Sequence, residues 1–330
     1  MSWRQIRWRR LLIAVCAALI AGIFNPGFAH AQSYPNRVIR WVIPVAPGGS
    51  PDVLARVLAP RLSELLGQQV VVDNRAGGNA MIGAELVARA PADGYTLLLA
   101  TGQHTVTPFL VKKMPYDIVG DFAPVALIMQ ASQLLTVHTA VPVKTVRELI
   151  ALARTKAGRL YYGSGGLGSA AYMSGELFKT MAAVDMTHIS YKGAGPALID
   201  LLGGHLDLMF PAILSSAPHH KAGRLRGLGV TSARRHPSLP DIPAIAEAAL
   251  PGYQTGSWYG ILAPANTPRD IINRLNAAVV KLVNAADIRE ALVAQGGDPE
   301  TGSPEELARL MLEELARSAQ IVKAAGVKPE

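Results

Sequence analysis

Two stretches of this 330-residue chain bring together residue types suited to holding an anion. In Ala46-Pro47-Gly48-Gly49-Ser50-Pro51-Asp52, two glycines let the backbone bend where a side chain would forbid it. Ser50 is placed to cap a helix, Pro51 suits its first position and Asp52 falls in its first turn. Unpaired backbone N–H groups and the positive end of a helix dipole coincide in such a loop. Taken alone, the stretch reads first as a tight turn with an ordinary cap. The second stretch, Gly163-Ser164-Gly165-Gly166-Leu167-Gly168-Ser169, matches the G-x-G-x-x-G dinucleotide fingerprint. That fingerprint also needs an acid at the end of the next strand, about twenty residues on, to hold a ribose. Tyr191 and Lys192 stand there instead, and Asp185 lies before that strand, at its wrong end. The two loops together suit a small acid better than either suits a nucleotide, because structure alone does not require the duplication.

Catalytic constellations are poorly supplied. Ser164 lacks a G-x-S-x-G elbow, since Tyr162 stands at the first glycine's place. His104, His188 and His205 are isolated, and His219-His220 lack the i, i+4 spacing of a zinc helix, so no metal site and no cofactor are expected. Asp52 or His104 as a general base keeps open the alternative of an exported enzyme acting on a carboxylated substrate.

The elements that must position these loops alternate. Val42–Val45 reads as a buried strand before the first loop, and the helix after it runs to Leu66, bent or split at Pro60. Val70–Val72 and Thr96–Ala100 read as strands, with a helix over Ile82–Ala90 between them. Thr101–Thr105 reads as a polar loop. Val125–Ile128 and Leu134–Val137 are two strands in succession, a break that suggests a crossover between lobes. Alternation resumes with helices over Val143–Ala153, Ala170–Met181 and Ala197–Leu202. Strands are expected at Leu160–Tyr162, Thr187–Ser190, Leu206–Phe210 and Leu225–Val230. Trp258–Ala263 reads as a strand returning to the first lobe, and three helices follow it, the last over Pro304–Ala325. The pattern is α/β, with one lobe made of both chain ends and two strands connecting the lobes as a hinge.

The first thirty-one residues read as an export signal: Arg4, Arg7, Arg9 and Arg10, an apolar run Leu11–Phe24 too short to span a bilayer, then Ala29-His30-Ala31. Cleavage is expected after Ala31, leaving an exported chain without its single cysteine, Cys16. Losing four arginines and no acids takes the net charge from +8 to +4. That mild charge, with 6% aromatic residues and no basic run, does not argue for nucleic acid.

Several motifs in order then resemble one family. They are Ala46-Pro47-Gly48-Gly49-Ser50-x-Asp52-x-x-Ala55-Arg56, Val70-Val71-Val72-Asp73-Asn74-Arg75 and Pro91-x-Asp93-Gly94-Tyr95-Thr96-Leu97. Gly165–Ser169 with Glu176-Leu177-Phe178, Tyr191-Lys192-Gly193, Leu201-Leu202-Gly203-Gly204 and Trp258-x-Gly260 continue the series. From Tyr34 onward the chain resembles the periplasmic solute receptors of tripartite tricarboxylate transporters, the Bug-type receptors. The resemblance implies a two-lobed type II periplasmic-binding-protein fold, each lobe a mostly parallel sheet flanked by helices. Residues 32–130 plus 261–330 would form one lobe and 131–260 the other. It implies a monomeric receptor without catalytic activity, delivering a di- or tricarboxylate, or an aromatic acid, to membrane permease subunits. Reporting the ligand to a sensor kinase is an alternative use of the same binding. Carried over to this chain, the carboxylate contacts fall on Pro47, Gly48, Gly49, Ser50 and Asp52, and on Ser164, Gly168 and Ser169. The ligand's far end is expected at Gln103-His104 and Tyr191-Lys192-Gly193. Val45, Thr107 and Tyr172 depart from the residues common at those places, and Tyr172 is expected to favour an aromatic or bulkier acid.

Overall fold

A computed structural model describes Trp3 and residues 34–48, 50–191, 193–294, 296–327 and 329. Cys16 and the expected cleavage site after Ala31 lie outside the described residues, as does all of the export signal but Trp3; so do Gly49 and Lys192. Residues 1–36 and 37–330 form two units, and the architecture below is that of residues 37–330.

In order, the elements of the first part are β1 (Ile39–Ile43), α1 (Ser50–Leu66), β2 (Val70–Asn74), α2 (Met81–Ala88), β3 (Thr96–Thr101), α3 (Gln103–Val106), a 3-10 turn (Thr107–Phe109) and β4 (Phe122–Ala131). The middle holds β5 (Leu134–His138), α4 (Val146–Thr155), β6 (Tyr161–Ser164), α5 (Ala170–Ala182), β7 (Thr187–Ser190), α6 (Ala194–Leu202), β8 (Leu208–Met209), α7 (Ile213–Lys221), β9 (Leu225–Val230) and α8 (Ile245–Ala248). The chain closes with β10 (Ser257–Pro264), α9 (Arg269–Val283), α10 (Ala286–Ala294), β11 (Gly297–Pro299) and α11 (Pro304–Ala324).

The strands form two sheets, a six-stranded one ordered β11-β4-β10-β3-β1-β2 and a five-stranded one ordered β7-β6-β8-β5-β9. The apolar run of β3 is buried on both faces, as its composition requires. The α/β class is as expected, but the sheets are mixed. β1 pairs in parallel with β2 and β3, and β6 with β7 and β8. β10 is antiparallel to both β3 and β4, and β5 to both β8 and β9. The reason is directional. β5 and β10 each begin where the chain has just crossed from the other sheet, so they run against neighbours that end at that edge.

The two crossings are tied together. Gln133 N–H donates to Thr231 Oγ1 at 2.8 Å, Thr231 N–H to Gln133 O at 2.9 Å and Thr255 N–H to Thr231 O at 3.1 Å. A third connection was not expected from the sequence. Leu307 and Met311 of α11 pack into the core beside β3 and β10, whereas Ile321 and Val322 join the core beside β6 and α5. Helix ends follow local chemistry: Thr145 caps α4 by accepting from Glu148 N–H, and Ser303 with Glu306 forms a capping box on α11. Pro60 does not split α1, which runs unbroken through it at the loss of one intrahelical bond. Among the described residues no helix is long and apolar enough to cross a membrane.

Candidate functional site

A cavity of about 610 Å³ opens between the two sheets. Four helices begin at its wall: α1 through Gly48 and Ser50, α5 through Ser169 and Ala170, α6 through Ala194 and Gly195, and α7 through Ala212 and Ser215. Each follows a strand that has a parallel neighbour in its own sheet, β1, β6, β7 or β8, so each starts at a C-terminal edge, where open α/β sheets bind ligands. First-turn N–H groups have no carbonyl one turn back, and each helix start carries roughly half a positive charge. Among the described lining residues the charged side chains are Glu314 and Arg317, paired with each other at 3.0 Å. Any positive potential at the described wall therefore comes from backbone and not from an unpaired side chain.

The first loop is held from below. Gly48 adopts φ +83°, and its N–H donates to Asp52 Oδ2 at 2.8 Å. Asn74 Nδ2 donates to Asp52 Oδ1 at 2.9 Å and to Val45 O at 3.1 Å, and Arg56 Nε donates to Asp52 at 3.1 Å. Asp52 is 3% exposed. The Arg56 hydrogen bond, then those of Gly48 N–H and Asn74, hold its carboxyl below the usual range against the opposing effect of burial. This geometry bears on three expectations. The Gly48 amide is used inside the loop, Asp52 fastens the loop instead of facing the cavity, and Ser50 is the first helical residue, not the cap. An ionised carboxylate among helix starts would repel an acid, so turning it inward removes a conflict. Pro47 lies in the exposed turn outside the lining.

The glycines of the second loop answer to protein neighbours. A Cβ at Gly163 would sit 2.4 Å from Leu206 Cδ1, and one at Gly165 would sit 2.9 Å from Ala194 N. Gly168 has φ +75° and a Cβ there would meet Leu110 Cδ1 at 2.4 Å. The dinucleotide-like spacing is thus a packing solution. Gly168 and Ser169 line the cavity; Ser164 does not. Ser164 is fully buried, its Oγ 2.7 Å from His188 Nε2 and accepting from Gly166 N–H at 3.1 Å. Ser169 caps α5, accepting from Tyr172 N–H and donating to Gly166 O at 2.7 Å. Tyr172 is buried against the His188 ring, 4.8 Å between centroids, and is not part of the cavity wall. Its expected influence on ligand class through direct contact therefore has no basis in this geometry.

Of the far-end residues, Gln103 lines the cavity and His104 does not. His104 is 1% exposed, its Nδ1 accepts from Thr101 N–H at 3.1 Å, and burial pulls its pKa down to about 4. Residues 103–106 are a short helix where a polar loop was expected. Tyr191 turns away to donate to Asp200 Oδ2 at 2.7 Å, and Gly193, at φ +118°, precedes the start of α6. Sequence reasoning missed Ala194, Gly195, Ala212 and Gln133 as wall residues. The signals for three of them were present: Tyr191–Pro196, a turn into a helix, holds Ala194 and Gly195, and the polar helix start at Ser215-Ser216 after Pro211 adjoins Ala212.

A family model described as "Tripartite tricarboxylate transporter family receptor" matches residues 54–327. The chain belongs to this receptor family. Among relatives of the receptor, a UPF0065 protein in the tcbD-tcbE intergenic region of Pseudomonas sp. (strain P51) is 39% identical over 95% of this chain and 93% of its own length. R. palustris Rpa4515, solved with adipate, is 41% identical with a TM-score of 0.81, covering 90% of the receptor and all of the solved chain. MatC from Rhodopseudomonas palustris, solved with bound malate, is 33% identical with a TM-score of 0.77, covering 88% of the receptor and all of the solved chain. The fold is that of periplasmic binding proteins, and the family is one of receptors rather than enzymes.

Proposed function

We propose that this receptor captures a small organic acid in the cavity between its sheets and delivers it, chemically unchanged, to the membrane permease subunits of a tripartite tricarboxylate-type transporter. The observation that carries the reading is the meeting of four helix N-termini, from both sheets, at one cavity whose described lining holds a single, already paired cation. A carboxylate suits such backbone donors. Val45, Met173, Leu198 and Phe210 in the wall suit an apolar body between carboxyl groups, which favours adipate-like or aromatic acids over tricarboxylates. Adipate and malate bound to relatives support the class. The contacts we propose are Gly49, Ser50, Gln103, Gly168 and Ser169, joined by Ala194 and Gly195. Export with cleavage after Ala31, a monomeric state and lobes at 32–130 plus 261–330 and 131–260 complete the proposal. The enzyme alternative loses support because Asp52 is engaged by its own loop and His104 is buried.

The test is a thermal-shift screen of residues 32–330 against adipate, malate, citrate and benzoate, followed by NMR of the recovered acid. A ligand at about 100 times its Kd adds ~2.7 kcal/mol to the folded state, so at least one acid, adipate first, raises Tm by several degrees. No shift with any of them overturns the binding reading. A chemically altered acid overturns the receptor reading in favour of the enzyme.

A further inference from the structure

We propose that His188 is a positioning residue for the loop between β6 and α5, acting through the Ser164 hydroxyl, and that carboxylate binding at this loop is coupled to proton uptake by the His188 imidazole. The inference rests on the reading of the cavity as a carboxylate site. A continuous set of bonds joins the ring to the cavity wall. His188 Nε2 lies 2.7 Å from Ser164 Oγ, which accepts from Gly166 N–H at 3.1 Å. Gly166 O in turn takes the Ser169 hydroxyl at 2.7 Å, and Ser169 both caps α5 and lines the cavity. Ser164 has one proton to give. Gly166 O is 3.1 Å away and already served by Ser169, so we assign that proton to His188 Nε2, which makes the neutral ring an acceptor.

Protonation converts Nε2 to a donor toward Ser164 Oγ, and the hydroxyl rotates to Gly166 O. Both protonation states therefore keep the loop's shape, and what changes is charge. The groups facing the ring are Tyr162 on β6 and Tyr172, Glu176 and Lys179 on α5. Glu176 is already engaged by the Tyr162 hydroxyl and by Lys179 Nζ at 3.0 Å, so local charge is balanced before the ring ionises. Burial disfavours the charged ring and lowers the imidazole's pKa from its ordinary value, against the opposing pull of Glu176. A carboxylate held at Ser169 on the other side of the loop supplies the compensating negative charge. Binding then raises the proton affinity of His188, and by linkage the acid binds more tightly as pH falls.

Adipate binding is measured by calorimetry from pH 7.5 to 5.5, in pairs of buffers with different ionisation enthalpies, for the wild-type chain, His188→Gln and Ser164→Ala. Comparing variants at each pH cancels adipate's own titration. Relative to His188→Gln, the wild type tightens about fivefold across this range and takes up a measurable fraction of a proton. Ser164→Ala weakens binding about tenfold at every pH. Equal pH slopes and equal proton uptake in wild type and His188→Gln overturn the coupling, and wild-type affinity in Ser164→Ala overturns the positioning. If the wild type binds neither adipate nor malate nor benzoate, the carboxylate reading itself fails and this inference falls with it.

Discussion

Replacing Asp52 by Asn removes one charge and one acceptor from beneath the first loop without changing side-chain size. The carboxylate serves three donors: Gly48 N–H at 2.8 Å, Asn74 Nδ2 at 2.9 Å and Arg56 Nε at 3.1 Å. An amide has one carbonyl oxygen, so it satisfies the donors on one side and turns its own NH₂ against those on the other. A hydrogen bond to an ionised acceptor contributes ~1.5–3 kcal/mol. The Arg56 guanidinium is half exposed, so solvent screening keeps its ion pair near 0–1 kcal/mol. The expected loss is about 2 kcal/mol, or a Tm lower by roughly 4 °C for a chain of this size. The pH dependence has a definite sign. The folded carboxyl is held below its ordinary value of 3.8, so its contribution is present above that pH and is lost as pH falls through the folded value. Asp52→Asn lacks this contribution, and its stability declines less steeply below pH 4. Differential scanning calorimetry between pH 2.5 and 7 reads both effects. A variant with the wild-type Tm and an unchanged acid limb would falsify the assignment of Asp52 as the fastener of this loop.

Gly165→Ala places a Cβ 2.9 Å from the backbone nitrogen of Ala194, so the second and third loops must part; we expect ~1–3 kcal/mol of destabilisation in urea unfolding and loss of the acid-induced thermal shift. A folded variant that still responds to the acid separates these loops from ligand binding. His104→Gln removes a buried imidazole that titrates near 4 in the folded chain against about 6.5 when unfolded. The wild type therefore loses stability as pH falls from 6.5 toward 4, by ~3 kcal/mol at the low end, and the variant has a flatter profile over that window. Identical profiles mean the folded imidazole is accessible to protons.

The elements most legible in the sequence are those whose surroundings are uniform. β1 and β3 read as strands because layers cover both faces, so apolar residues run on without alternation. The caps at Thr145 and Ser303 are local contracts between residues three apart, and the helices they open were expected over Val143–Ala153 and Pro304–Ala325. β11 has three residues and exists only by pairing with β4, so no periodicity announces it. Strand direction was not legible for β5 and β10, since it depends on the edge from which the chain arrives and not on the strand's own residues. In the site, a glycine spelled the same way in sequence serves quite different ends. Gly165 makes room for the Ala194 backbone, Gly168 makes room for Leu110, and Gly48 gives its amide to Asp52. The Asp52–Asn74 bond joins residues 22 apart on different elements, and no spacing rule reaches that far.

Formal charge concealed the site for a related reason. The side chains of residues 32–330 carry only a mild positive excess, and the described cavity wall adds nothing to it beyond one neutralised pair. The charge that matters belongs to helix ends, about half a unit each, and is invisible to any count of Lys and Arg. Its distribution has a mechanical consequence. One of the four helix starts, α1, follows a strand of the six-stranded sheet, while α5, α6 and α7 follow strands of the other. An acid that bonds to both sets makes those contacts together only while the sheets stand close. On the proposed binding, closure of the sheets on the acid would draw its free energy from those backbone contacts, with no side-chain cation needed. The strands that cross between the sheets are bonded to each other at Gln133, Thr231 and Thr255, and α11 adds a third link by packing into both cores, so three connections together set how close the sheets stand.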